Sequence, residues 1–455
     1  MASVSVVQDD GSSSSVTSSP LKSFSLMSLS PPSLSPYSPW LRELKSDERG
    51  LCLVHLLLNC ANHVAAGNLE QANAFLEQIG LLAAPDGDAM QRIASRFTEA
   101  LARRVLRPWR GVCHALDSAR AAVVPLAEAA LARRHFLDLC PFLRLSYAVT
   151  NQAIMEAMEG ENVIHIVDLN AGDPTQWVAL LQGLRARPGG PPHLKITGVH
   201  EHKDLLNHTA ARLAEEADRF DIPFQFNAVV SRLDNLDVER LRVKTGEALA
   251  ISSVVQLHSL LAAEDEQQKP QRIVPSGQLT LGDFLVKDHV ANGYSSSREP
   301  AMESFLASLW GLQPKVMVVT EQEASHNGST MNERFVEALF YYATLFDGLD
   351  STVPRQSVER LRLEKMVFGE EIKNIIACEG RERKERHEKL ERWAQRMEVA
   401  GYEGVQLSYY GLLQARRLVE SFGCEGYRVR EENGCFMACW HDRPLFSISA
   451  WRCKR

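Results

Sequence analysis

Between residues 47 and 159 apolar positions recur at helical spacing, and from residue 163 they gather into short runs separated by amphipathic segments. The first region predicts helices. One runs through LCLVHLLLNCANHVAAG, with Asp47 as its cap and Gly67 as its end. Others are predicted at Leu69–Leu81, Asp88–Leu106, Ser118–Arg133 and Leu139–Glu159. The second region predicts strands at Val163–Val167, Leu194–Val199, Phe224–Val230 and Ala248–Gln256, with helices at Gln176–Arg187 and Lys203–Phe220 linking the first three. Such alternation implies a parallel sheet with right-handed crossovers. A helix–strand unit follows at Ala301–Leu312 and Val316–Thr320. Helices are then expected across Met331–Met397 and at Leu407–Ser421, and strands at Tyr427–Arg430, Cys435–Trp440 and Phe446–Trp451. The expected fold class is α/β: a doubly wound core at 161–455 under a mainly helical cap at 46–160.

Two stretches break this rhythm. Residues 1–45 are rich in Ser and Pro and poor in charge until their end, a composition that cannot offset its ordering entropy and predicts a disordered tail. Ser19, Ser30, Ser35 and Ser38 each precede Pro, either as proline-directed phosphorylation sites or as incidental pairs. The tail has no signal-peptide apolar region, and Asp9-Asp10 with no Arg before Arg42 is unlike a transit peptide. Glu264–Arg298 is polar and punctuated by Ser and Gly, which predicts a long loop.

Composition narrows the function classes. No apolar run approaches the roughly 20 residues of a membrane span. The net charge of −7 argues against a broadly basic nucleic-acid surface. The nine cysteines include no C-x-x-C pair and read as buried thiols. Cys435, Cys439 and His441 lack zinc-ligand spacing, and Asn433-Gly434 before them reads as a hairpin turn leading into a strand.

The segment VIHIVDLNAGDPTQW (Val163–Trp177) holds the main candidate chemistry. Asp168 ends the first strand and Glu201 follows the second, where an acid in a nucleoside-binding fold holds ribose hydroxyls. This raises S-adenosylmethionine or a nucleotide as a ligand. The loop argues against it. It has one Gly rather than G-x-G-x-x-G, Pro174 lacks an N–H, and Asp173 would repel an anion. No cofactor is therefore expected. His165 reads as a hydrogen-bonded core histidine, while Asp168, Asn170, Gln176 and Trp177 read as residues that fix the loop. No Ser-His-Asp, Cys-His or metalloprotease pattern occurs, so no catalytic residue is assigned.

Three further groups are candidates for partner binding. Leu53, Leu56 and Leu57 form an LxxLL face, repeated at Leu257, Leu260 and Leu261; such a face fills either a partner's groove or its own core. In GRERKERHEKLERW, Glu385–Lys389 and Glu388–Arg392 are i, i+4 pairs that predict a solvated helix face. Arg381, Arg383, Lys384 and Arg386 there would alternatively meet phosphates or an acidic partner, although the interspersed Glu residues weaken DNA binding. Trp440, Arg443 and Trp451 are either interface anchors or core closure beside Phe446, Ile448 and Ala450.

Motifs in order carry a family resemblance. Ile164-His165-Ile166-Val167-Asp168 resembles the VHIID motif of the GRAS family of plant transcriptional regulators. RFVEALFYYATLFDGLD, NIIACEGRERKERHEKLERWAQRM and WHDRPLFSISAW resemble its later motifs, the last being the SAW motif. GLRARPGGPPHLKITGVHE is most similar to the Scarecrow-like branch. Together these cover nearly everything after residue 46. The resemblance implies a Rossmann-like, class I methyltransferase-like core without enzymatic activity. It implies a nuclear coregulator in gibberellin-linked growth and root development, reaching DNA mainly through C2H2 zinc-finger transcription factors. Other GRAS proteins, including DELLA-type members, are the implied partners, with homo- or heterodimers both open and no membrane role. It makes the charged run chiefly structural and raises the partner reading of the first leucine face. The DELLA-type N-terminal sequence is absent here, so hormone-triggered destruction is not expected.

Overall fold

The computed structural model describes residues 44–121, 126–266 and 301–454. The predicted tail, apart from its last two residues, and all but the first residues of the predicted polar loop lie outside them.

Helices α1 (Ser46–Ala66), α2 (Leu69–Leu82), α3 (Ala89–Leu106), α4 (Arg110–Ala121), α5 (Leu126–Leu139) and α6 (Pro141–Ala157) come first. Gly67 ends α1 with φ +76°, a left-handed conformation open to glycine. Asp47 lies inside the first turn of α1, because the helix begins one residue earlier. Asp88 caps α3, its Oδ1 accepting the Gln91 N–H at 2.9 Å. The single helix expected over Ser118–Arg133 is instead the end of α4 and the first half of α5.

Strands β1 (Val163–Asp168), β2 (His193–His200), β3 (Phe224–Val230), β4 (Ala248–Val254) and β5 (Val316–Gln322) form a parallel sheet in the order β3-β2-β1-β4-β5. Helices α7 (Thr175–Arg185) and α8 (Lys203–Arg219) connect β1, β2 and β3, and α9 (Ala301–Gly311) precedes β5. The order reverses between β1 and β4, the switch point at which such folds open a crevice. This is the doubly wound, Rossmann-like core that the alternation predicted.

Beyond β5 come α10 (Met331–Thr352), α11 (Val358–Leu363), one π-helical turn (Glu364–Phe368), α12 (Gly369–Ala377) and α13 (Leu390–Val399). Thr330 and Glu333 form a capping box on α10, each side chain meeting the other's backbone N–H at 3.2 Å. The short strand β6 (Tyr402–Val405) was not evident in the sequence pattern; α14 (Tyr409–Ser421), β7 (Tyr427–Glu432), β8 (Cys435–Trp440) and β9 (Arg443–Cys453) were. β9 runs antiparallel to β5 and pairs also with β6 and β8, so it lies within the sheet. Asn433 and Gly434, at φ +52° and +77°, form the predicted β7–β8 turn.

The charged run also departs from its predicted form. Residues 383–389 are not helical, so Glu385–Lys389 and Glu388–Arg392 are not helix-face pairs. Tertiary bonds take over the backbone: Asn374 Oδ1 accepts the N–H groups of Lys384 and Glu385 at 2.7 and 2.9 Å. The charged run is also largely buried, with Arg383, Arg386 and His387 all inside the protein.

Strand alternation divides the interior into two cores. Ile164, Ile166, Leu194, Ile196 and Ile448 face one side, where they join the cap residues Leu53, Leu57, Phe97 and Leu145 in a continuous cluster. Val167, Val199, Ile251, Val319 and Trp451 face the other side, beneath α9 and α13. The cap therefore shares its core with the sheet. Among the described residues no helix is long and apolar enough to cross a membrane.

Candidate functional site

The carboxyl ends of β1, β2 and β4 converge on a cleft of about 350 Å³, lined by Asn170, His200, Glu201, Val255, His258 and Glu385 among others. Asp168 is buried at the end of β1. Its Oδ2 accepts the Trp177 indole N–H at 2.7 Å, and its Oδ1 accepts the Asn170 amide at 2.9 Å. Burial pushes the Asp168 carboxyl up to about 6 against the pull of these two donors. Trp177 is fully buried on α7. Gln176 is buried beside it, its carbonyl accepting from Asn151 Nδ2 at 2.8 Å. Asn170 Nδ2 donates to the Val254 carbonyl at 3.3 Å and ties the β1 loop to β4. Asp168, Asn170 and Trp177 thus fix the loop, while Gln176 joins α7 to α6 through Asn151.

The loop is stitched to its own chain. The amides of Leu169, Asn170, Ala171, Gly172 and Thr175 donate to Ser252 O, Asp168 Oδ1, Val199 O, Asn170 O and Asp173 Oδ1 respectively. A cofactor carboxylate or phosphate in this loop would draw on such strand-end and helix-start donors. Gly172 is covered by His200, whose Nε2 lies 3.0 Å from where a Cβ would stand. Burial lowers His200 to about 4, with Arg133 adding to the effect. Glu201 is exposed beside the cleft rather than enclosed by it.

His165 lies away from this cleft, on the second-core face of β1. Its Nδ1 is 2.8 Å from Glu247 Oε2 and its Nε2 is 2.8 Å from Thr197 Oγ1. Burial first, and Lys195 second, lower His165 to about 4 despite the opposing pull of Glu247. It is the satisfied core histidine that was expected.

Behind the cleft is a polar cluster that the sequence did not reveal. Glu321, at the end of β5, accepts the amides of Gln256, Leu257 and His258 on Oε1 at 3.1, 2.8 and 3.4 Å. Its Oε2 meets His258 Nδ1 at 2.7 Å. His258 Nε2 lies 3.1 Å from Glu385 Oε2, and His387 Nε2 lies 3.1 Å from the same oxygen. His387 Nδ1 in turn meets His326 Nδ1 at 2.9 Å. Burial opposes charge on His258, but Glu321 and Glu385 overcome it and hold the imidazole up at about 10. Burial also pushes Glu371 up to about 7, with the charge of Glu385 adding to it. Val255, at the mouth of the cleft, has φ +50°, a strained conformation for a β-branched residue. The one local signal for the cluster was Glu321, a charge closing the apolar run VMVVTEQ.

The remaining candidates lie elsewhere. Leu53, Leu56 and Leu57 are buried in the cap core, so this leucine face presents nothing to a partner. Leu257, Leu260 and Leu261 are likewise buried. Arg383 is an internal strut, donating to the His326 carbonyl at 3.0 Å, whereas Arg381 is exposed. Arg386 donates to Arg383 O, Asn327 Oδ1 and Gly380 O at 3.0 to 3.1 Å. Trp440 and Trp451 are buried, their indole N–H groups donating to Asp347 Oδ2 at 2.7 Å and Ser449 Oγ at 2.8 Å. Arg443 is half-buried, with its guanidinium 5.8 Å from the Phe340 ring centroid. The two tryptophans therefore close the core rather than anchor an interface.

Comparison with known proteins supplies the family. The model of the GRAS domain family matches residues 53–452. Scarecrow-like protein 3 of Arabidopsis thaliana is 54% identical, over 99% of this chain and 100% of that protein. The DELLA protein GAI1 of Vitis vinifera is 36% identical, over 90% of this chain and 62% of that protein. The crystal structure of SCL7 in Oryza sativa superposes with a TM-score of 0.69 at 29% identity, covering 88% of this chain and 99% of that one.

Proposed function

The chain belongs to the GRAS domain family, and we propose that it is a non-enzymatic plant transcriptional regulator acting as a rigid interaction scaffold. In this reading the α/β core holds the cap in fixed geometry. DELLA-type and other GRAS proteins and C2H2 zinc-finger transcription factors dock on it, and the zinc-finger protein supplies most DNA contact. The setting is the nucleus, and the processes are gibberellin signalling and root development, in keeping with similarity to Scarecrow-like and DELLA proteins.

The observation that carries the scaffold reading is the β1 loop. The amides of Leu169, Asn170, Ala171, Gly172 and Thr175 are committed to acceptors within the chain, and His200 covers the single glycine. A loop built in this way stabilises architecture rather than cradling a cofactor. The net charge of −7 further favours indirect DNA contact.

The cap offers a docking face at a different place from the predicted leucines. Trp109, Val112 and Leu116 are 49%, 47% and 47% exposed at i, i+3 and i+7 spacing, so they share one side at α4. Arg107 and Arg110 line the adjoining groove. Exposed aromatic and aliphatic residues rimmed by Arg have the composition of an interface anchor.

Isothermal titration calorimetry of the full chain tests the reading, with a DELLA-type GRAS domain, a C2H2 zinc-finger protein and S-adenosylmethionine as separate titrants. Protein binding that Leu116→Asp weakens, with a silent cofactor titration, is the expected result. Micromolar S-adenosylmethionine binding abolished by Glu201→Ala would overturn it.

A further inference from the structure

We propose that His258, Glu385 and His387 form a binding site for a zinc-class divalent transition metal at the inner wall of the cleft. The three residues come from two distant segments and each directs one ligand atom to a common point. The atoms lie within 4.8 Å of one another, and both imidazole Nε2 atoms are 3.1 Å from Glu385 Oε2. Two ligands of a tetrahedral zinc ion stand about 3.3 Å apart, which both imidazole-to-carboxylate spacings match. Calcium and magnesium require oxygen-rich shells and do not match a pair of imidazoles.

The orientation of the ligands is the second observation. His387 is fully buried, and its Nε2 faces Glu385 Oε2 at 3.1 Å but off the line of a well-formed hydrogen bond. With Nδ1 turned to His326, this Nε2 and the Glu385 oxygen face each other as two donors to one cation would.

The outer contacts match those that fix metal-binding histidines. The Glu321 carboxylate, held by three backbone amides, engages His258 Nδ1 and turns its Nε2 toward the site. His326 engages His387 Nδ1 and turns that ring in the same way. His258 and Glu385 both line the cleft, so a fourth coordination position opens onto solvent. Two imidazoles, one carboxylate and one open position make a familiar zinc environment. Binding would displace imidazole protons and so strengthen as pH rises.

The test uses the full chain stripped with chelator, then titrated with Zn²⁺ by calorimetry, and separately with Co²⁺ by absorption spectroscopy. One equivalent is expected, with tetrahedral Co²⁺ bands and no thiolate-to-cobalt charge transfer. Glu385→Gln and His387→Gln should each weaken binding by at least about tenfold, while Cys435→Ser leaves it unchanged. Circular dichroism without metal reports whether each variant folds. Should the variants unfold, the wild-type cobalt spectrum decides. No uptake by the wild-type chain, thiolate charge transfer, or unchanged affinity in the folded variants would overturn the site.

Discussion

Arg92 Nε lies 3.1 Å from both carboxylate oxygens of Glu364, joining cap helix α3 to the π-helical turn across 272 residues of chain. Neither side chain is appreciably exposed. Arg92 also donates to Asp350 Oδ1 at 2.9 Å and to the Gly87 carbonyl at 2.8 Å, and Arg360 shares the same two acids. Burial raises the Glu364 carboxyl, and Arg92 is the first of the cations that oppose the rise.

Removing one member of this pair should be worse than removing both. Arg92→Met is expected to cost about 3–5 kcal/mol, because it leaves Glu364 buried without its main cation. Arg92→Met with Glu364→Leu should recover much of the loss. Urea denaturation of both variants checks this, and equal instability would show that the two residues do not act as a pair.

Two leucines should separate core from surface. Leu53→Ala is expected to cost about 2–5 kcal/mol as a cavity in the cap core, and Leu53→Asp to unfold the domain. Leu116→Asp should leave thermal stability nearly unchanged and weaken partner binding. Near-ultraviolet circular dichroism reads the first pair and calorimetry the last. A well-folded Leu53→Asp protein would refute the burial of that face.

His165 predicts an acid-sensitive window. Its folded value is lowered to about 4 from 6.5, so it binds its proton less readily folded than unfolded. Its contribution is present above pH 6.5 and lost as pH falls through about 4. The linkage amounts to about 3 kcal/mol across that window. His165→Gln should therefore flatten the fall in stability on acidification, as measured by denaturant unfolding at a series of pH values. An unaltered slope would place the titration elsewhere.

Trp177→Phe should keep the aromatic body and remove one of the two donors on Asp168. The expected cost is about 1–3 kcal/mol, with most of the loss from the unmet carboxylate. Thermal melts of Trp177→Phe and Asp168→Asn, singly and together, measure it as a coupling. Simple additivity would deny the bond any role.

The parallel strands were legible because each is an apolar run bounded by polar helix-spaced segments, and Val163–Asp168 is the clearest. Gly67 and Asn433-Gly434 were legible because left-handed backbone demands such residues. β6 was not, because YEGV is four residues long and takes its partner from β9. The charged run misled for a tertiary reason: Asn374 on α12 takes the amides of Lys384 and Glu385 from outside the run, while the run's own Arg383 and Arg386 turn inward to the His326 and Gly380 carbonyls, a bond pattern that local helical spacing does not encode. The contact of Asp168 with Trp177 lies nine residues apart along the chain, within the reach of local sequence reading. His258, Glu321, Glu385 and His387 meet only after the sheet forms, with His258 reaching Glu321 across 63 residues and Glu385 across about twice that span.

β9 pairs with β5, β6 and β8, and so the strand made last of these four completes three edges at once. On the ribosome, β5 waits through more than a hundred residues with one flank unpaired. The domain cannot consolidate its sheet while Arg443–Cys453 is still in the exit tunnel. A nascent chain will therefore need shielding from chaperones until that strand emerges, and a message cut shortly before it should yield a product cleared by proteolysis rather than a smaller working protein.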